Sequence, residues 1–203
     1  MALSRTNKLV LGLTICGVVL AITIVVIALA EKRAACGHKT TEGDCQGEPV
    51  KFCDDIIQIY MDDEAAVDFD GRLAPILDVY QPHIDAKLEY AGSLPWTAHQ
   101  PARSIWITRQ NPDAGPNVDW EDTGETGSES TTWDANGCVI TSLVGISREL
   151  EGKDATRILC HELGHSLGLI HSSVARSIMY ADYGGQACKL TEKEQQVLQG
   201  LYP

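Results

Sequence analysis

Three histidines at fixed intervals, His161, His165 and His171, constrain this chain more than any other feature. They fall in the run Cys160-His161-Glu162-Leu163-Gly164-His165-Ser166-Leu167-Gly168-Leu169-Ile170-His171. On an α-helix, residues four apart sit about 40° apart in azimuth, one turn along the same face. His161 and His165 therefore offer two imidazoles to one ion, while Leu159, Leu163 and Leu167 take the opposite face and bury. Glu162 projects to the flank of the histidine face, near the metal and not necessarily on it. His171 cannot reach the same ion if the helix runs straight past Gly168. Glycine adopts positive φ at little cost, so the helix is expected to end there and His171 to swing back as the third ligand. Three protein nitrogens leave a coordination position for water, which marks a catalytic rather than a structural zinc. By average residue usage the full pattern has a chance occurrence on the order of 10⁻⁵ in a chain of this length.

The formal net charge is −12, and the N-terminal stretch that carries Arg5 and Lys8 holds no acid. A chain this acidic has no basic surface for a nucleic-acid backbone, which excludes nucleic acid as a partner class. From Leu9 to Ala30 the sequence is almost continuously apolar. As a helix that run spans roughly 33 Å, enough to cross a bilayer core. Ala28-Leu29-Ala30 has the small-x-small form of a cleavage site, so residues 1–30 read as a transmembrane anchor or a signal peptide. The length favours the anchor. The expectation is a single-pass membrane protein with its catalytic domain outside the cytoplasm, or a secreted protein if cleavage follows Ala30.

Cysteine usage agrees with an outside location. Beyond Cys16 there are Cys36, Cys45, Cys53, Cys138, Cys160 and Cys188. An even set in a translocated domain suggests up to three disulfides, and the close trio Cys36, Cys45 and Cys53 is a candidate staple. No C-x-x-C pair occurs, which argues against a cysteine zinc knuckle.

Residues 31–48 are polar and glycine-containing and read as a linker or stalk; residues 49–203 have globular composition. Val50–Tyr60 is expected as a first strand, Asp70–Tyr90 as helix interrupted by Pro75 and Pro82, and Ser104–Thr108 as a short strand. Gln110–Asn136, rich in Gly, Ser, Thr and acids, reads as a long loop. A strand over Cys138–Ile146 and the motif helix from about Asp154 follow. Thr191 and Glu194 form a capping box that opens a last helix, with Val197 and Leu201 on one face.

The histidine run resembles the extended zinc motif of the metzincins, H-E-x-x-H-x-x-G-x-x-H, and Ser177-Ile178-Met179-Tyr180 resembles their Met-turn. The finer resemblance is to the matrixins, matrix metalloproteinase-type enzymes: His171-Ser172, Met179-Tyr180, Leu190-Thr191 and the closing Leu198-Gln199-Gly200-Leu201-Tyr202. It is specific from about Arg157 to Tyr202 and weak before that. The resemblance implies an α+β, zincin-like domain after the N-terminal apolar helix: a twisted mixed sheet, a zinc helix, the Met-turn and a C-terminal helix. It implies a zinc-dependent metalloendopeptidase acting on a protein or peptide, with one Zn2+ on His161, His165 and His171. Glu162 would be the general base and Met179 an apolar floor beneath the histidines. Val139–Val144 would be the rim strand that pairs with substrate, and the chain from Ser172 to Gly185 would wall the pocket beyond the cut.

Departures from the matrixin pattern are also informative. Cys36-Gly37 only loosely matches an inhibitory propeptide cysteine, and disulfide pairing is the favoured reading. His38, His83 and His99 are too scattered for a second, structural zinc. A Ca2+ ion in the acidic Asp113–Asp134 stretch is conceivable, with a solvated loop favoured. Two other functions compete: a membrane-tethered zinc-binding module without proteolytic activity, against which the intact Glu162 argues, and a zinc hydrolase of non-peptide amides.

Overall fold

Period-2 burial organises the first strand, β1 (Ile56–Met61): Ile57, Ile59 and Met61 are buried while Ile56 is exposed. The computed structural model describes residues 50–96, 100–110, 126–181 and 187–203, all in the compact unit Glu48–Pro203. The apolar segment 9–30, residues 31–48 expected as a linker, and residues 111–125 of the expected loop lie outside the described residues, as do Cys36 and Cys45. Among the described residues no helix is long and apolar enough to cross a membrane.

β1 is flanked by two parallel neighbours, β2 (Lys87–Ser93) and β3 (Ser104–Thr108). β3 pairs in parallel with β5 (Val139–Ile146), and β4 (Gly127–Trp133) closes the sheet antiparallel to β5. The strand order is β2-β1-β3-β5-β4. Every residue of β3 is buried, as expected for a central strand covered on both faces. Helix α3 (Gly152–Ser166) packs over β4 and β5, and its Ile158, Leu159 and Leu163 join the core. The domain is thus α+β, with a mixed five-stranded sheet.

Several expectations need correction. The first strand does not begin at Val50: Lys51 makes only an isolated bridge to Cys138, and the acidic pair Asp54-Asp55 bends the chain before β1. The helical reading of Asp70–Tyr90 holds only for α2 (Leu73–Tyr80); Leu88 and Tyr90 lie in β2, after a short 3₁₀ turn at Gln81–His83. Pro75 does not interrupt α2, because it sits in the first turn, where an N–H has no intrahelical partner to lose. An unforeseen helix, α1 (Asp63–Phe69), starts on Asp62, whose carboxylate accepts the Ala65 N–H at 2.7 Å.

The expected loop Gln110–Asn136 contains β4. Its Ser- and Thr-rich composition hid it, since an outer strand with one bare edge needs little apolar alternation. Consequently Val139–Val144 is not a rim: β5 is hydrogen-bonded on both sides, and β4 is the edge. In the last helix, α4 (Glu192–Leu201), Leu198 is the fully buried residue while Val197 is exposed. The capping box stands as expected, with Thr191 and Glu194 reciprocally bonded.

Two disulfides cross-link the domain, Cys53–Cys138 and Cys160–Cys188. Cys53 therefore pairs outside the expected trio, because the Lys51–Cys138 bridge brings the two chains together. The Cys53–Cys138 link spans 85 residues of sequence, and long loops gain most from closure. The double variant Cys53→Ser/Cys138→Ser is expected to lose about 2–4 kcal/mol of stability. Urea denaturation of both forms under non-reducing conditions checks this, and an unchanged midpoint would count against the link.

Candidate metal centre

α3 carries the first two histidines into the interior: His161 and His165 are almost fully buried, as is Glu162 between them. The helix ends as the glycine requires. Gly168 has φ of 94°, its N–H donates to the His165 carbonyl at 2.8 Å, and the Leu169 N–H donates to the Gly164 carbonyl at 2.9 Å. This pair of bonds is a Schellman cap, which reverses the chain and satisfies helix carbonyls that would otherwise be orphaned. Gly168 is also hemmed in, since a Cβ there would lie 2.9 Å from the Val50 carbonyl oxygen. The reversal returns His171 to the other two.

The three rings converge through one nitrogen each. His161 Nε2 lies 3.0 Å from His165 Nε2 and 3.3 Å from His171 Nε2. The Nδ1 atoms of His161 and His165 point away, 2.6 Å from the Ile178 carbonyl and 2.8 Å from the Leu169 carbonyl. A carbonyl can only accept, so each Nδ1 carries the hydrogen and each Nε2 presents a lone pair. Lone pairs so close repel unless a cation lies among them. Tetrahedral zinc with metal–nitrogen distances of about 2.05 Å places its ligand nitrogens about 3.3 Å apart. The donor set fits zinc in type, its three ligand atoms lie within 4.8 Å of one another, and among the described residues it is the one group of metal-capable side chains so gathered.

Burial favours the neutral form of His161 and His171. It pushes His161 down to about 4; the Ile178 carbonyl opposes the shift and the neighbouring His171 adds to it. His171 is also lowered by burial. Neutral imidazole is the form a metal needs.

Met179 is fully buried. A Cβ on Gly164 would collide with the Met179 sulfur, so glycine lets this side chain pack directly against the metal helix. The turn that carries Met179 is held by bonds that sequence reading did not anticipate. The Met179 N–H donates to Ser177 Oγ at 2.8 Å, and the Ser177 hydroxyl donates to Glu194 Oε1. The other Glu194 oxygen accepts the Thr191 N–H at 2.6 Å. Glu194 thus caps α4 and anchors the turn with a single carboxylate; the capping box was the only signal of it. Tyr80 donates to the Cys160 carbonyl at 2.5 Å, and burial together with Glu194 and Glu162 raises its pKa, so it remains a neutral donor.

A second network joins the edge strand to the helix. Glu129 Oε1 accepts from Ser142 Oγ at 2.8 Å, Ser142 and Ser166 hydroxyls lie 2.8 Å apart, and Ser166 donates to the Glu162 carbonyl at 3.2 Å. At the start of β4, a Cβ on Gly127 would lie 2.9 Å from Glu162 Oε1. The carboxylate therefore lies against the end of the sheet edge. Tyr180, expected to pack, is half-buried and bridges to Ser172. The acidic stretch considered for Ca2+ lies mostly outside the described residues. Its last member, Asp134, accepts the N–H groups of Asn136 at 2.8 Å and Cys138 at 3.1 Å.

Stability of the metal-stripped protein should follow the His161 shift. In the unfolded chain this group titrates near 6.5, in the fold at about 4. Between these values the unfolded state binds a proton that the native state does not, so stability is full above about 6.5 and falls as the pH drops toward about 4. Denaturation midpoints of chelator-treated protein across this window should decline with pH, and His161→Gln should flatten the decline. A profile identical in both proteins would refute the assignment.

The comparison with known proteins agrees with this geometry. A family model described as Matrixin matches residues 54–203, most of the chain and all of the described sheet and metal helix. A search of curated proteins finds no match. The chain belongs to the matrixin family, whose members are zinc metallopeptidases of the metzincin type.

Proposed function

We propose that this chain is an endopeptidase that binds an extended peptide along β4 and cleaves it beside Glu162. The observation that carries the reading is the gathering of His161, His165 and His171, whose ligand nitrogens all lie within 4.8 Å of one another. His161, His165 and His171 would hold the ion, with His161 and His165 fixed in tautomer by the Ile178 and Leu169 carbonyls. Zinc, when bound, supplies Lewis acidity and makes a water acidic near neutral pH. Glu162 is assigned the proton work. Its carboxylate takes a proton from the attacking water and gives it to the amine nitrogen as the C–N bond breaks. Burial suits it to that exchange, because water is largely excluded around it.

The outer position of β4 supports the substrate assignment. Among the described residues no strand lies beyond it, so a peptide can add there as a further strand, and Gly127 at its start stands against Glu162. Met179 serves as the floor and takes no part in proton transfer. Glu162→Gln is expected to lower kcat/KM on a quenched-peptide library by about 10²–10⁴-fold while zinc stoichiometry stays unchanged. Chelation should abolish cleavage by the native protein. Zinc-loaded native protein that cleaves nothing would favour the non-proteolytic binding module instead.

For location, the apolar run 9–30 and the disulfides support a domain outside the cytoplasm, tethered or secreted. Full-length protein is expected in the membrane fraction with an intact N-terminus. A soluble form beginning after Ala30 would replace the anchor with a cleaved signal.

A further inference from the structure

The disulfide Cys160–Cys188, 28 residues apart in sequence, closes a ring that contains His161, His165, His171 and Met179. Its two sulfurs stand in different surroundings. Cys160 is fully buried next to His161. Cys188 is only partly buried, and it forms a wall of a cavity of about 510 Å³ with Arg72, Lys153, Arg157, Gly152 and Thr156. Arg72 reaches the Gly152 carbonyl at 3.2 Å, Arg157 pairs with Asp154 at 2.8 Å, and Lys153 is exposed. Lys189 follows Cys188, and Glu151 precedes the helix. Among the described residues the cavity walls carry three cations and no carboxylate, in a chain of net charge −12.

The other disulfide offers the opposite field. Cys53 is exposed and followed by Asp54 and Asp55, and Asp134 accepts the Cys138 N–H at 3.1 Å. Arg103 pairs with Asp54 at 3.2 Å, and Lys51 extends to the Leu201 carbonyl at 2.6 Å. On exposure alone Cys53 would react first with any thiol. Charge reverses that order for an anionic one.

We propose that Cys188 is an exchange site for small anionic thiols, seated by Arg72, Lys153 and Arg157, and that exchange there unclasps the ring bearing the metal ligands. The incoming thiolate forms a bond to the Cys188 sulfur as the Cys160–Cys188 bond breaks. The electron pair departs on the Cys160 sulfur, which is protonated by water once the opened link lets solvent reach it. A second thiolate then attacks the mixed disulfide, leaving both protein cysteines as thiols and the small thiol as its oxidised dimer. Attack on Cys160 is blocked by its burial. With the ring open, the segment from His171 through Met179 to Cys188 loses its covalent tie to the metal helix.

Zinc-loaded full-length protein is treated with glutathione, neutral 2-mercaptoethanol or cationic cysteamine at equal thiolate concentration, then alkylated and peptide-mapped. Glutathione should open Cys160–Cys188 about tenfold faster than Cys53–Cys138 at low salt, with the first adduct on Cys188. Added salt or Lys153→Glu should shrink that preference, and cysteamine should favour Cys53–Cys138. Zinc release, followed with a chromogenic chelator, should track opening of the ring. An adduct on Cys160, a rate order indifferent to thiol charge, or glutathione opening Cys53–Cys138 first would overturn the site. Zinc retained after the ring has opened would overturn the unclasping. Neither readout uses peptide cleavage, so failure of the peptidase reading would be seen separately.

Discussion

Three imidazole lone pairs crowded into a buried space repel one another, and the rest of the structure exists around that constraint. The crowding is tolerable only when each ring is held from behind and a cation can lie in front. The backbone supplies the hold for two rings, through the carbonyls of Ile178 and Leu169. Both carbonyls belong to chain that follows the helix, so the same Schellman reversal that returns His171 also delivers the acceptor for His165. One turn of glycine-dependent backbone therefore determines a ligand, a tautomer and the helix end together.

Buried carboxylates divide by what surrounds them. Glu194 has both oxygens occupied, by the Ser177 hydroxyl on one side and the Thr191 N–H on the other, and so works as a strut beneath the Met-turn. Glu129 likewise accepts from Ser142 and belongs to a chain of hydroxyls that runs to the metal helix. Removing one partner from such a network leaves a desolvated charge, which costs more than the bond itself returned. Glu162 flanks the histidine face, and its carboxylate lies against Gly127, where a side chain on the strand would collide with it.

The sheet edge follows a related logic. An edge strand that is long and apolar invites aggregation. β4 is instead rich in serine and threonine, and it carries the buried Glu129 on the side that faces the helix. Its polarity suits it to the outer position in the sheet. The same polarity is what made the segment look like a loop.

The sequence by itself determined which side chains could gather around a metal. The four-residue spacing of His161 and His165, the glycine at 168 and the third histidine at 171 admit few arrangements, because helix geometry is local and the motif is contiguous. The Thr191–Glu194 cap and the strand Ser104–Thr108 were legible for the same reason. What the tertiary structure alone decided is everything set by pairing at a distance. That includes β4 as the edge, β5 as an interior strand, Cys53 joined to Cys138, and Glu194 reaching back to Ser177. Strand partners and buried polar contacts depend on which surfaces meet after the chain has folded, and no periodicity within a short window encodes that.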